Sequence, residues 1–298
     1  MLTMKWPGSR SVDAAVVLFG LCPRRRCGYR PCMTKSPPVA LTIAGSDCSA
    51  GAGLQADLKT FQHFGVFGLT AVTCVVAETP NVVRSVHAVP PAILQDQLRV
   101  LLEAFPVAAI KTGMLFSKAH IVAVTEILQE YPGIPLVVDP VMIASTGDPL
   151  LEENAVAAYK ERLFPLATVI TPNLDEAEVL WGNGPARDEA AIERAARELS
   201  ARHGCAVLLK GGHLGAPECA DLLVDHDLPV WFRSPRIDTA ASHGTGCTLS
   251  AAIAAHLALG KDLHDAVAAA KAYLDRTLAG SLVWGDVAAL NQGTTLAR

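Results

Sequence analysis

Ser242-His243-Gly244-Thr245-Gly246-Cys247-Thr248 stands directly before an Ala-rich helical run. Glycines at 244 and 246 let the backbone turn its N–H groups inward, and a helix N-terminus adds free donors and partial positive charge. Together they predict a pocket for a transferring phosphoryl group. Cys247 falls in the first turn, where the helix dipole lowers a thiol pKa and favours thiolate. It is therefore a candidate base for a substrate hydroxyl. The same block also reads as a Gly-rich cap holding a small buried cysteine.

Other segments add polar groups at strand ends. Lys210 in Lys210-Gly211-Gly212-His213 can reach phosphate oxygens as a point charge, or stand as a solvated strand-end lysine. Asn173 and Glu176 in Thr171-Pro172-Asn173-Leu174-Asp175-Glu176 fall three apart at a helix start. Oxygen ligands at that spacing can hold Mg²⁺ directly or through water. They also fit a capping box, and both readings can hold at once. Asp139 in Asp139-Pro140-Val141-Met142 follows a buried strand, where a carboxylate is rarely a solvated surface charge. In Gly45-Ser46-Asp47-Cys48-Ser49-Ala50-Gly51-Ala52-Gly53, small residues would let a flat ligand approach the backbone. The fit to G-x-G-x-x-G is poor and the P-loop pattern is missing, so an ordinary tight strand–helix turn is the other reading.

These segments need elements to position them, and the chain alternates strand-like with helix-like stretches. Strands are expected over 39–43, 69–77, 82–89, 108–112, 136–139, 168–171 and 206–210, with an antiparallel pair over 219–224 and 230–232. Helices are expected over 53–64, 90–105, 118–130, 152–163, a short one to 180, then 188–203, 246–258 and 263–279. This order indicates a three-layer α/β sandwich, a mainly parallel sheet with helices on both faces. In such folds ligands bind beyond the carboxyl ends of the strands, which is where the polar segments lie.

Composition narrows the classes. The chain is 51% hydrophobic but only 5% aromatic, so Ala, Val, Leu and Ile build its core, as suits buried parallel strands. No apolar run is long enough for a membrane span. The net charge of −4 speaks against a nucleic-acid binder. It hides an asymmetry: residues 1–38 carry Lys5, Arg10, Arg24, Arg25, Arg26, Arg30 and Lys35 against Asp13 alone, +6, leaving −10 for the remainder. Residues 1–38 are read as a basic, disordered tail, with organelle targeting as the minority reading, and 39–298 as one domain. The eight cysteines show no C-x-x-C, so reduced thiols in a cytoplasmic protein are expected.

The order GSD…AGLQADLKTF, KTGML, VVDPVM, TPNLDEAE, LLKGGH and HGTGCTLSAAIAA resembles the hydroxymethylpyrimidine/phosphomethylpyrimidine kinase family of thiamine biosynthesis, within the ribokinase-like superfamily. The resemblance covers about residues 39–280. It implies a ribokinase-like fold, ATP and Mg²⁺ as cofactors, and phosphorylation of 4-amino-5-hydroxymethyl-2-methylpyrimidine and of its monophosphate. It implies that Cys247 sits beside the reacting oxygen and that Gly244, Thr245, Gly246 and Cys247 form the anion hole. Lys210, with Asn173 and Thr245, would contact ATP, and Asp139 and Glu176 would organise Mg²⁺. Gly45, Ala52, Asp57, Met114 and Val141 match positions that shape the pyrimidine pocket. A homodimer is the expected assembly.

Two positions depart from the family pattern. Glu78 stands where Gln is usual. An amide both donates to a ring nitrogen and accepts from the 4-amino group; an ionised Glu keeps only the second bond. A bias toward the monophosphate is expected, because its phosphate adds anchoring. Ala50 stands where Gly is common, and little effect is expected if its φ is negative. Other readings are a pyridoxal or pyridoxine kinase of the same superfamily and, distantly, a nucleotide-binding dehydrogenase.

Overall fold

The computed structural model describes residues 36–142, 153–211 and 218–293. The segment 1–35, Gly212 and His213 lie outside the described residues. Strand β1 (Val39–Asp47) leads through α1 (Gly53–His63) to β2 (Phe67–Thr79), which turns into antiparallel β3 (Val82–Ala88). Then come α2 (Pro91–Ala104), β4 (Val107–Thr112), α3 (Lys118–Leu128), β5 (Leu136–Val138), α4 (Glu153–Ala158), β6 (Val169–Ile170), α5 (Leu174–Trp181), α6 (Glu189–His203) and β7 (Ala206–Lys210). An antiparallel pair, β8 (Glu218–Asp225) and β9 (Leu228–Pro235), is followed by α7 (Thr245–Ala258), α8 (Leu263–Ala279) and a small hairpin, β10 (Leu282–Trp284) and β11 (Val287–Ala289).

The nine-stranded sheet has the order β3-β2-β1-β4-β5-β6-β7-β8-β9; the run β2-β1-β4-β5-β6-β7 is parallel, and β3, β8 and β9 pair antiparallel at its two sides. Strand alternation divides the core into two layers. Val39, Leu41, Ile43, Ile110, Val138, Val207 and Leu209 face α2, α3, α5 and α6. Ala40, Ala109, Val137, Val169, Ala206 and Leu208 face α1, α7 and α8. Small residues on that face meet α7, whose alanines 251, 252, 254 and 255 are fully buried; short side chains let this helix lie close to the sheet. The expected three-layer sandwich is therefore the observed one. Among the described residues no helix is long and apolar enough to cross a membrane.

Three local expectations change. The helix expected over 152–163 is α-helical only to Ala158, then widens into a π turn at Tyr159–Leu163 and a 3-10 turn at Phe164–Leu166. Pro165 has no N–H to continue an α ladder there. The C-terminal hairpin was not anticipated; its strands are three residues long, too short to show a period. Ala50 has φ of +59°, not a negative value. A left-handed alanine costs about 1 kcal/mol relative to glycine.

Candidate active site

The polypeptide crosses from β2 on one side of β1 to β4 on the other, so a crevice opens beyond the carboxyl end of β1. A cavity of about 630 Å³ lies there, walled by the loop after β1, the tip of the β2–β3 hairpin, the ends of β5 and β7, and the start of α7.

Helix α7 begins at Gly244, whose φ is +83°. A Cβ there would fall on the Gly51 carbonyl, so both the backbone angle and the close approach require glycine. The first helical hydrogen bond runs from Thr248 N to Gly244 O at 2.9 Å, and Thr245 N turns back to Ser242 O at 3.4 Å. The amides of Gly246 and Cys247 precede that first bond and point past the helix end. Gly246 meets a second constraint: a Cβ would lie 3.2 Å from both Asp139 Oδ2 and Lys210 Nζ.

Asp139 and Lys210 form the floor beside this helix end. Lys210 Nζ donates to Asp139 Oδ1 at 2.9 Å, and Thr171 Oγ1 donates to the same oxygen at 3.1 Å. Burial opposes the Lys210 charge, but Asp139 and Glu176 hold its ammonium above the usual lysine range. Glu176 is nearly buried and belongs to a complete capping box on α5. Asn173 Oδ1 accepts from Glu176 N at 2.8 Å, while Glu176 Oε2 accepts from Asn173 N at 2.9 Å. Burial pushes the Glu176 carboxyl up to about 7, with Asp139 adding to the rise and Lys210 opposing it. A hard dication fits this wall: Asp139 and Glu176 bring carboxyl oxygens to one side of the cavity, and a cation between them relieves their repulsion.

The opposite wall starts from Asp47, at the last position of β1. Its Oδ1 accepts from Ser49 N at 2.7 Å; Oδ2 accepts from Gly51 N at 3.1 Å, Ala52 N at 2.8 Å and His243 Nε2 at 3.0 Å. Burial works to raise this carboxyl, yet those donors bring it down to about 2. Asp47 thus ties the loop after β1 to the residue preceding Gly244. Glu78, near the tip of the β2–β3 hairpin, joins them: ligating atoms of Asp47, Glu78 and His243 all lie within 4.8 Å of one another. Cys48 holds the Glu78 backbone, donating from Sγ to Glu78 O at 3.2 Å and accepting from Glu78 N at 3.3 Å. Burial, then the Asp47 charge, push the Glu78 carboxyl up, and His243 opposes them.

Gly45, Ala52, Glu78, Met114, Asp139, Val141, Asn173, Glu176, Lys210 and residues 244–247 all line this one cavity. Asp57 is the predicted residue that the structure does not bring to it. Asp57 is fully buried behind the wall, where Lys111 Nζ donates to both of its oxygens, at 3.0 and 2.8 Å, and Thr42 Oγ1 donates at 2.6 Å. Burial opposes the Lys111 charge, but Asp57 keeps it above the usual lysine range. These three bonds hold Asp57 behind the wall, out of the cavity lining.

Cys247 also departs from expectation. Burial pushes its thiol up to about 11; Lys111 opposes the rise while Asp57 and Asp139 add to it, so the helix end does not prevail. Asp47, His243, Asp221 and Lys271 are site residues that no motif singles out. Lys271 Nζ donates to Asp221 Oδ2 at 2.7 Å, and Gly211 N donates to Asp221 Oδ1 at 3.0 Å, on the far side of the same cavity. Asp47 carried the signal that identified Asp139, a carboxylate at the end of a buried strand.

The sequence profile of the phosphomethylpyrimidine kinase family matches residues 47–291. A hydroxymethylpyrimidine/phosphomethylpyrimidine kinase of Rhizobium meliloti is 46% identical over 243 residues, covering 82% of this chain and 91% of that protein. A thiamine biosynthesis bifunctional protein of Geobacter sulfurreducens is 47% identical over 234 residues, 78% of this chain, and the chain spans 48% of its length. Among solved structures, the ADP complex of Bacillus subtilis pyridoxal kinase superposes with a TM-score of 0.81 at 37% identity, covering 86% of this chain and 98% of that one.

Proposed function

The chain belongs to the phosphomethylpyrimidine kinase family, and from that premise we propose that it phosphorylates 4-amino-5-hydroxymethyl-2-methylpyrimidine and its monophosphate from ATP. One observation carries this reading: the donor-rich start of α7 and the small-residue loop after β1 line one cavity, with Lys210 beside the helix start. The γ-phosphoryl group sits against the start of α7, at the amides of Gly246 and Cys247, since the expected Thr245 amide is turned back to Ser242 O, and Lys210 contacts the phosphate oxygens. Asp139 and Glu176 would hold Mg²⁺, which would supply charge neutralisation on the phosphates. In the first transfer the substrate hydroxyl oxygen bonds to the γ-phosphorus, ADP leaves, and the hydroxyl proton passes to the Cys247 thiolate. In the second, the acceptor is already anionic and needs no base; positioning and charge neutralisation dominate.

Gly45, Ala52, Met114 and Val141 enclose the pyrimidine, and Glu78 meets its polar edge. Glu78 matches the aminopyrimidine edge only if it or the ring nitrogen is protonated, and its raised carboxyl moves it in the first direction. When neither is protonated, the Glu78 charge faces a ring-nitrogen lone pair. This mismatch costs about 1–3 kcal/mol and biases the enzyme toward the monophosphate, whose phosphate anchors it independently. Steady-state kinetics on both acceptors test this. Glu78→Gln should raise kcat/KM for the free alcohol by roughly 5- to 150-fold and change that for the monophosphate far less. Equal acceptor preference in the wild type and the variant would sink the assignment.

Likeness to a pyridoxal kinase favours a second reading, phosphorylation of pyridoxal or pyridoxine in the same cavity. An ADP-release assay with pyridoxal beside the pyrimidine separates the two. A homodimer belongs to the same reading, and its test is the mass of the protein in solution.

A further inference from the structure

Gln292 stands outside every motif and outside the cavity lining, yet its side chain is buried, with 1% of the residue exposed. Its Nε2 donates to Gly51 O at 3.1 Å and to Thr248 Oγ1 at 3.2 Å. The first acceptor belongs to the loop after β1, and it is the carbonyl against which Gly244 packs. The second lies in the first turn of α7, on the residue whose amide closes the opening helical hydrogen bond. One carboxamide therefore spans the two walls between which phosphoryl transfer takes place. Its own backbone is anchored: the Tyr273 hydroxyl, buried on α8, donates to Gln292 O at 2.8 Å.

Space-filling alone does not account for this residue. Gln292 Oε1 is buried with no hydrogen-bond partner among the described residues. Methionine or leucine would fill the volume without that desolvation cost. What only the amide provides is a donor that reaches both segments at once.

We propose that Gln292 is a positioning residue, which sets the separation of the acceptor loop from the anion hole at the start of α7. The inference rests on the kinase reading above. Such a residue acts on alignment of the reacting atoms, so its loss lowers kcat more than it weakens binding.

The test compares wild type, Gln292→Met and Thr248→Val by steady-state kinetics and thermal unfolding. Gln292→Met should keep both KM values within about twofold and lower kcat about tenfold, equivalent to ~1.4 kcal/mol. Thr248→Val, which removes one acceptor and leaves Gln292 in place, should lower kcat about threefold with KM unchanged. A folded Gln292→Met with unchanged kcat, or with a raised KM alone, overturns the proposal. If Gln292→Met does not fold, Thr248→Val decides: a lower kcat at unchanged KM supports the proposal, and an unchanged kcat refutes it. Each comparison uses the acceptor that the wild type turns over. A wild type inert to the pyrimidine but active on pyridoxal counts against the proposed substrate, while Gln292 is still judged on pyridoxal.

Discussion

At Cys247 two effects compete: the α7 N-terminus favours a thiolate, and burial beside Asp57 and Asp139 disfavours one. With the thiol pushed up to about 11, the thiolate fraction grows about tenfold per pH unit below that value. If this thiolate takes the hydroxyl proton, the first phosphorylation should accelerate as pH rises from about 7 to 9, while the second stays nearly flat. Cys247→Ala should slow the first step and remove its pH dependence. Rate profiles on both acceptors check this, and a flat profile for the first step in the wild type would leave catalysis to the anion hole and the metal. Single residues were legible where their partners are neighbours in sequence. Asn173 and Glu176 cap one another, and Gly244 and Gly246 open the helix they serve. Asp57 lies behind the wall and not in it: its partner, Lys111, is 54 residues away, and nothing local distinguishes a buried ion pair from a ligand group. Ala50 was misread because φ is set by the loop that Asp47 organises, not by the alanine itself.

Among the elements, α5 shows one pair of side chains serving two purposes. Its capping box fixes Glu176 beside Asp139, so the helix start and the candidate Mg²⁺ wall form together. Asn173→Ala should cost about 1 kcal/mol and lower Tm by roughly 2–4 °C. Asn173→Asp, which retains a side-chain acceptor at the N-cap, should restore most of that loss, as thermal unfolding would show. Most elements were legible because their apolar period is plain: the strands and helices of the parallel sheet fall within a few residues of the expected bounds. Strand β1 runs on to Asp47, past the expected end at residue 43, because Ser46 and Asp47 still pair with Val75 and Val76 after a register shift. The β10–β11 hairpin and the π turn after α4 depend on tertiary packing and backbone geometry that no period records.

For the molecule as a whole, the net charge of −4 says little about how an anionic ligand is held. Lys210 and Lys271 stand at the cavity beside acidic partners, and Lys111 is buried behind its wall, so binding is governed by local fields within a few ångströms. The hydrogen bonds that join the two cavity walls connect distant parts of the chain: Asp47 to His243 spans 196 residues, and Gly51 to Gln292 spans 241. Closing such loops is entropically costly and comes late, after the helices and the parallel strand pairs have formed. Catalytic competence should therefore trail secondary structure during refolding. Ellipticity in the far ultraviolet should recover first, and phosphoryl transfer should reach its full rate only once the residues around Gln292 have docked. The two cavity walls are thus joined by residues that the ribosome makes far apart in time, so full activity is the last property the chain acquires as it folds.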